Sequence, residues 1–230
     1  MSRLILLRHG ESEWNARNLF TGRADVALTP RGERQSRDAG ELLRALGLAP
    51  DAAHCSRLRR AWHTCALAMD AAGRGTAPVA AVRALEERDY GSLQGRDKEA
   101  VLRELGEAEF RRIRRSADAR PPGGESLGDV SARLLPYWHA RIAPQLAAGA
   151  TVLVVGHSNS LRALAAHLDA LSPTELLGLE LPSGIPLLHE LDPALRPRRR
   201  GGRYLRPARP GRRTGPRTPL AGRSGVTPER

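Results

Sequence analysis

The sequence has few aromatic residues and only two cysteines. Aromatic residues make up 3% of the 230 residues and hydrophobic residues 40%, so leucine, alanine and valine must fill most of the core. Cys55 and Cys65 form neither a CxxC metal-ligand pair nor a disulfide framework, which excludes a small disulfide-stabilised fold. A chain of this length can bury a sizeable core without cross-links. We therefore expect a reduced, cytoplasmic setting.

Long apolar runs are also missing. No run approaches the roughly 18 consecutive apolar residues of a membrane-spanning helix, so we expect no membrane partner. The first residues lack a charged segment followed by a long apolar one, and we therefore expect no Sec-type signal.

Lysine is almost absent, and the positive charge is unevenly distributed. Lys98 is the only lysine among 37 basic residues, and the net charge is +12. Residues 193–230 contain twelve arginines and one acid, which leaves about +1 for residues 1–192. The composition of 193–230, rich in Arg, Pro and Gly, predicts a disordered basic tail.

A basic tail raises the question of nucleic-acid binding. Such binding would fall steeply with salt, but the tail offers only Tyr204 for base stacking, and we do not expect nucleic acid to be the partner. Loss of salt-sensitive DNA retention on deletion of 193–230, with turnover unchanged, would support that alternative.

The pattern of apolar runs, helix caps and breakers predicts alternating strands and helices. Thr29 and Pro30 are an N-cap followed by proline at the first helical position, and leucines recur on one helical face of 160–171. Expected strands are 3–7, 52–56, about 79–85, 151–155 and 185–191, and expected helices about 30–46, 58–72, 97–105, 126–146 and 160–171. This alternation predicts an α/β fold, three α/β/α layers around a mostly parallel sheet, in one domain over 1–192.

Histidines follow two of the predicted strands. Arg8 and His9 come directly after strand 3–7, and His157 follows strand 151–155 after one glycine. Ligands of open α/β sheets bind beyond the carboxyl ends of the strands. A lone strand-end histidine is more often structural, but the adjacent arginine favours a phosphoryl group held against a nucleophilic nitrogen, because the arginine fork binds two phosphate oxygens.

Several blocks in order resemble one family. "LLRHGESEWN" (6–15) resembles the signature of the histidine phosphatase superfamily. Further blocks are similar to its branch of cofactor-dependent phosphoglycerate mutases, and the likeness covers roughly 3–192. These blocks are "NLFTGRADVALTPRG" (18–32), "SRLRRAWHT" (56–64), "LEERDYGSLQG" (85–95), "GHSNSLRALAAHLD" (156–169) and "LPSGIPLLHELD" (181–192).

The resemblance implies a phosphoglycerate mutase-like fold and a role for individual residues. His9 would carry the phosphoryl group as phosphohistidine. Arg8, Arg60 and His157 would neutralise its charge, and Glu87 would be the general acid and base. The implied substrate contacts are Ser12, Asn15, Thr21, Gly22, Arg88, Tyr90, Lys98, Arg114, Arg115, Ser158 and Asn159. The resemblance further implies an isomerase that interconverts 3- and 2-phosphoglycerate in glycolysis and gluconeogenesis, 2,3-bisphosphoglycerate as its priming cofactor, and a homo-oligomer.

Hydrolysis by the same pocket is the alternative function. A broad phosphomonoesterase would also use His9, and only a second anionic site would make the enzyme a mutase. Lys98 favours that site, because a compact ammonium kept in a chain of arginines suggests a place that a planar guanidinium cannot fill. It also matches the family's substrate-binding lysine.

Several positions depart from the family pattern. Arg23-Ala24 stands where the family has Trp-Tyr, Glu86 and Asp89 replace Asn and His, and Ser158 replaces Gly. The segment between Pro121 and Glu125 is short, and a shorter cover would admit more water to phosphohistidine.

The Asp, Glu and His residues show no metal-ligand spacing, so we expect no metal. Because a histidine nucleophile must be neutral, we expect activity to fall below about pH 6.

Overall fold

A six-stranded sheet forms the centre of the computed structural model, which describes residues 2–206. The strand order is β3-β2-β4-β1-β5-β6. β1 to β4 are parallel, and β5 and β6 pair antiparallel with their neighbours. The strands are β1 (Ser2–Arg8), β2 (Ala52–Ser56), β3 (Val79–Val82), β4 (Thr151–Gly156), β5 (Leu187–Leu191) and β6 (Arg203–Tyr204).

Helices cover both faces of this sheet, which confirms the expected three-layer α/β/α fold. Most begin with a polar cap; Thr29, for example, accepts a hydrogen bond from the Gly32 N–H. The helices are α1 (Glu13–Ala16), α2 (Pro30–Ala45), α3 (Arg59–Ala71), α4 (Lys98–Arg115), α5 (Leu127–Tyr137), α6 (Ala143–Ala147), α7 (Ser158–Asp169) and α8 (Pro173–Gly178). Short 3₁₀ turns span Arg83–Leu85 and Gly91–Leu93.

The alternation of side chains along β1 explains why both faces must be covered. Leu4 and Leu6 pack with α5, α6 and α7 on one face, while Ile5 and Leu7 pack with α2 and α3 on the other. All four are at most 1% exposed. The strand therefore holds its carboxyl end rigidly, and the next residue is His9.

One predicted helix continues past a break, and another is interrupted. The helix expected over 97–105 is present, but Gly106 has φ 74° and a second helical stretch follows it within α4. The helix expected over 126–146 is split by a π-helical turn at Trp138–Ile142. This turn lies between Pro136 and Pro144, each of which lacks the N–H that an α-helix requires.

The sequence did not predict α1, α8 or β6. α1 and α8 have only four and six residues, which is too short for a helical hydrophobic period to be visible.

The prediction of a disordered tail from residue 193 is wrong for residues 193–206. β6 pairs with β5, and Leu205 is 1% exposed. The segment is also held through Asp169, which bonds to buried His189 (3.1 Å) and accepts from the Gly201 N–H (2.9 Å). The folded domain thus extends beyond residue 192. The remainder of the predicted tail, 207–230, lies outside the described residues.

Candidate active site

The carboxyl ends of β1 and β4 bring two histidines together. Arg8 and Gly156 are register partners, and the His9 N–H donates to the Gly156 carbonyl at 3.1 Å. The rings of His9 and His157 are consequently 5.0 Å apart between centroids. Both residues are buried, with exposures of 3% and 0%.

Gly10 allows the chain to turn tightly after His9. A Cβ at this position would lie 2.2 Å from the Gly32 carbonyl oxygen, which is backbone and cannot give way. The Gly10 N–H donates to Thr64 Oγ1 at 3.1 Å. The turn therefore packs directly against the start of α2 and is fastened to α3.

The hydrogen bonds of His9 select one tautomer. Nδ1 lies 2.7 Å from the Gly10 carbonyl oxygen, so it carries the proton and donates it. The Arg60 Nε–H points at Nε2 from 3.3 Å, and Nε2 therefore presents its lone pair. This is the arrangement that a nucleophilic histidine needs.

Burial and neighbouring cations keep the two histidines neutral. Burial, then Arg60 and Arg8, hold the pKa of His9 well below its ordinary value. The pKa of His157 is also well below its ordinary value, through burial, Arg60, His9 and Arg8. This direction argues against the expected loss of activity below about pH 6, because a lowered pKa means that His9 is protonated only at a lower pH.

Arg60 is a fully buried arginine that connects His9 to the adjoining loop. Its two terminal nitrogens donate to the carbonyls of Gly22 (2.8 Å) and Ala24 (2.7 Å). Burial lowers the pKa of Arg60 to about 10, so its charge persists at neutral pH. Arg60 thus supplies a positive charge at His9 and fixes the loop that contains Thr21 and Gly22.

Glu87 presents its carboxylate to the same pocket. It is 7% exposed, and its Oε1 accepts from the backbone N–H groups of Arg88 (2.8 Å) and Asn159 (3.1 Å). The second N–H belongs to the first turn of α7, where free backbone donors favour an anion. The Asn159 amide donates to the Tyr90 hydroxyl at 3.2 Å. Backbone donors therefore hold the Glu87 side chain in the wall of the cavity that His9 also lines.

Further cationic side chains line the cavity. Arg114 and Arg115 come from the second half of α4, Arg162 from α7, and Lys98 from the first turn of α4. Burial, followed by the charges of Arg114 and Arg8, lowers the pKa of Lys98 to about 8. This group of side chains can therefore bind an anion, and its charge decreases above about pH 8.

Most of the sequence-predicted site residues line one cavity of about 270 Å³. Three do not. His157 lies behind His9, Ser12 caps α1, and Arg88 is buried with its guanidinium over the Tyr90 ring and bonded to the Ile113 carbonyl. Those lining the cavity are Arg8, His9, Asn15, Thr21, Gly22, Arg60, Glu87, Tyr90, Lys98, Arg114, Arg115, Ser158 and Asn159.

Sequence reasoning missed Arg162 and the apolar part of the lining. Arg162 is 1% exposed, donates to the Asn159 side-chain oxygen at 3.2 Å and crosses to the Arg115 carbonyl at 3.1 Å. Its place within the motif at 156–169 was the available signal. The other missed lining residues are Leu19, Phe20, Glu180, Leu181 and Pro182.

Residues 2–206 show neither a metal-binding cluster nor a membrane-spanning helix. This part of the chain contains no cluster of three or more His, Cys, Asp or Glu side chains arranged to hold a metal ion. The expectation of no metal stays a prediction. Within the same range, none of the helices is both long and apolar enough to span a membrane.

Sequence comparison relates the chain to one family and to named relatives. The model of the histidine phosphatase superfamily (branch 1) matches residues 4–185. Proteins named 2,3-bisphosphoglycerate-dependent phosphoglycerate mutase from Nocardioides sp. and Mycobacterium tuberculosis are each 47% identical to this chain. The alignments cover 89% of this chain in both cases, and 92% and 91% of the relatives.

Structural comparison finds phosphatases with the same fold. A mycobacterial glucosyl-3-phosphoglycerate phosphatase in complex with VO3 matches with a TM-score of 0.73 at 28% identity, covering 83% of this chain and 93% of that one. The alpha-ribazole phosphatase of Shigella flexneri matches with a TM-score of 0.72 at 26% identity, covering 88% and 95%.

Proposed function

The chain belongs to the histidine phosphatase superfamily, and from that premise we propose that it is a 2,3-bisphosphoglycerate-dependent phosphoglycerate mutase. It interconverts 3-phosphoglycerate and 2-phosphoglycerate, the isomerase step of glycolysis and gluconeogenesis, through phosphohistidine on His9. The names of relatives that are 47% identical support this assignment. The observation that carries it is the unprotonated Nε2 of His9, next to Arg60 in a cavity that six cationic side chains line.

The chemistry follows from the placement of these side chains. Nε2 of His9 attacks the phosphorus atom, and the positive charges of Arg8 and Arg60 stabilise the oxygens of the transferring phosphoryl group. Neither ring nitrogen of His157 has a hydrogen-bond partner within residues 2–206. His157 is buried against His9 and does not line the cavity, so in this proposal its ring N–H meets a phosphoryl oxygen only when the group is on His9. Glu87 gives a proton to the leaving hydroxyl and removes it again when the hydroxyl attacks.

The cavity fits 2,3-bisphosphoglycerate, a small and strongly anionic molecule. Six cationic side chains line it against two carboxylates, Glu87 and Glu180. Bound there, 2,3-bisphosphoglycerate supplies the phosphoryl group that primes His9. Arg8 and Arg60 would hold the phosphate near His9, and Lys98, Arg114 and Arg115 would hold the other acidic groups.

Hydrolysis is the second candidate activity, and the solved structures of the same fold favour it. Both of the solved structures described above are of proteins named as phosphatases. A phosphatase would transfer the same phosphoryl group from His9 to water, so the two functions differ only in the acceptor.

A coupled assay separates the two activities. Purified protein receives 3-phosphoglycerate with trace 2,3-bisphosphoglycerate, and 2-phosphoglycerate and free phosphate are followed together, with His9→Ala as the control. The mutase predicts rapid isomerisation with little phosphate release, abolished in the control. Phosphate release without isomerisation would establish the phosphatase instead.

Assembly, location and nucleic-acid binding stay predictions for this chain. We expect a homo-oligomer in the cytoplasm and no nucleic-acid partner, and light scattering on the purified protein tests the first. A deletion that tests DNA retention must begin after Arg206, because an earlier one would remove buried Leu205.

A further inference from the structure

Arg23 lies at the centre of an ion-pair cluster that joins three segments around the pocket. Its terminal nitrogens are 2.7 Å from a carboxylate oxygen of Glu125 and 3.6 Å from one of Asp89, and its Nε is 3.9 Å from Glu86. The arginine side chain is 26% exposed and the three carboxylates between 11% and 27%. We call Arg23, Glu86, Asp89 and Glu125 the outer clamp.

One side of the outer clamp is the loop that contains Gly22. The Arg23 N–H donates to Gln94 Oε1 at 2.6 Å, and Arg60 holds the carbonyls on either side of Arg23. Arg60 therefore fixes this loop from the His9 side, and Arg23 fixes it from the solvent side.

The other side of the outer clamp surrounds Glu87. Glu86 and Asp89 flank it in sequence, and Arg133 donates to the Glu86 and Glu87 carbonyls at 2.8 and 3.1 Å. Arg133 also bonds to Glu125 at 3.2 Å. A continuous chain of contacts thus runs from Arg23 through Glu125 and Arg133 to the backbone of Glu87.

Glu125 also fastens the short segment 121–125. Its side chain accepts from the Asp89 N–H at 3.0 Å, and its own N–H donates to the Asp89 carbonyl at 2.9 Å. Burial would raise the pKa of Glu125, but hydrogen bonds from Arg133 and Asp89 and the Arg23 charge keep it below its ordinary value. The carboxylate is therefore ionised when Arg23 pairs with it.

Two neighbouring arginines, Arg57 and Arg133, balance the charge of the outer clamp. Arg57 lies 3.5 Å from Glu86 on its solvent side, so Arg23, Arg57 and Arg133 face three carboxylates. Partly buried ion pairs of this kind can fix geometry more than they add net stability. We therefore consider what the ion pairs of Arg23 hold in place.

We propose that Arg23 is a positioning residue that closes the pocket wall between Gly22 and Glu87 and keeps water from phosphohistidine. This inference rests on the proposed function and deepens it: Arg23 sets how much of the phosphoryl group reaches a phosphoglycerate hydroxyl and how much reaches water. In the competing hydrolysis, a water oxygen bonds to phosphorus and the P–Nε2 bond breaks. The electron pair returns to Nε2, the water proton passes to Glu87, and inorganic phosphate leaves.

The test compares Arg23→Gln with the wild-type enzyme. Each protein is phosphorylated on His9 with 2,3-bisphosphoglycerate, and decay of phosphohistidine in water is measured beside isomerisation. We expect Arg23→Gln to raise hydrolysis about tenfold relative to isomerisation, because opening the wall admits water, with the KM for 3-phosphoglycerate unchanged within about twofold.

Two further variants separate positioning from stability. Arg57→Gln removes a charge from the same carboxylate, Glu86, without touching Asp89 or Glu125, and should leave the ratio unchanged. Arg23→Lys keeps one charge without the fork, and its ratio should lie between the wild-type and Arg23→Gln values. It also provides the comparison if Arg23→Gln does not fold.

The outcomes are distinguishable from those of the proposed function. A wild-type enzyme that takes no phosphoryl group on His9 overturns the proposed function, and the inference falls with it. If the wild type isomerises but Arg23→Gln and Arg23→Lys keep its hydrolysis ratio, only the inference is wrong. Equal loss of both activities with a lower melting temperature would likewise reduce Arg23 to a structural role and overturn the inference.

Discussion

Two groups of side chains in and around the pocket come from different kinds of structural element. His9, His157, Arg8, Arg60 and Glu87 form what we call the histidine end, and Lys98, Arg114, Arg115 and Arg162 form the cationic end. The histidine end comes from the carboxyl ends of two central strands, from the first turn of α3, which contains Arg60, and from the connection that contains Glu87. Most of the cationic end comes from α4, which is broken at Gly106.

This difference suggests that one group of side chains serves phosphoryl transfer and the other serves substrate binding. Atoms that take part in phosphoryl transfer need fixed geometry, and the central strands provide it. Side chains that only bind anionic groups tolerate more variation, and long cationic side chains on an interrupted helix suffice. The histidine end should therefore govern kcat, and the cationic end should govern KM.

The largest expected effect is at Glu87. Glu87→Gln keeps an oxygen for the Arg88 and Asn159 N–H groups but cannot transfer a proton, so kcat should fall about 10²- to 10⁴-fold with KM nearly constant. Steady-state kinetics measures both, and Glu190→Gln on the exposed side of β5 is the control. A rise in KM with kcat retained would contradict the expectation that the histidine end governs kcat.

A smaller effect is expected at Lys98. Lys98→Gln should raise KM for 3-phosphoglycerate about tenfold, since a charge-assisted bond to an anion is lost, while kcat stays within about twofold. Lys98→Arg should not restore KM fully if the site needs a compact ammonium. Arg103→Gln, on an exposed position of the same helix, should change neither value.

The pH dependence should also differ between the two ends. The pKa of Lys98 is about 8, so its charge is present below pH 8 and is lost above it. KM should rise about threefold between pH 7.5 and 9, and Lys98→Gln should abolish that rise. The pKa of His9 lies well below its ordinary value, so kcat at saturating substrate should persist below pH 6. A steep loss of kcat near pH 6.5 would contradict the placement of His9.

The histidine end was largely predictable from sequence, and for a physical reason. His9 and His157 follow the two clearest buried strands, and parallel strands end at the same edge of a sheet. The local sequence therefore predicts both the strand and the place of the histidine at its carboxyl end. The motif resemblance supplied Arg60 and Glu87, whose own surroundings in the sequence resemble an ordinary arginine-rich helix and loop.

The outer clamp could not be predicted from sequence. Arg23, Asp89 and Glu125 lie far apart along the chain and meet only after three connections pack together. The sequence marked Arg23, Glu86 and Asp89 as separate departures from the family pattern. In the structure Arg23 forms ion pairs with both Glu86 and Asp89. The three departures therefore belong to one cluster.

The C-terminal segment escaped prediction because its order depends on long-range contacts. Its composition is that of a disordered chain, but Leu205 is buried and Gly202 approaches the Leu188 carbonyl so closely that a Cβ would lie 2.7 Å from it. A two-residue strand has no periodicity to detect. Composition therefore gave the wrong boundary at 192.

The smallest expected effect concerns stability in acid, where the histidine end should again stand apart. The folded-state pKa values of His9 and His157 are depressed, so the unfolded chain binds more protons below its own histidine pKa near 6.5. The contribution of these two histidines to the free energy of unfolding is therefore complete above about pH 6.5 and declines as the pH falls below it. The melting temperature should drop by several degrees between pH 7 and 5. The double variant His9→Gln/His157→Gln should lose part of that drop, whereas Lys98→Gln should keep all of it. An equal drop in all three proteins would mean that other groups carry the acid sensitivity, and the histidine end would then be distinguished by its geometry alone.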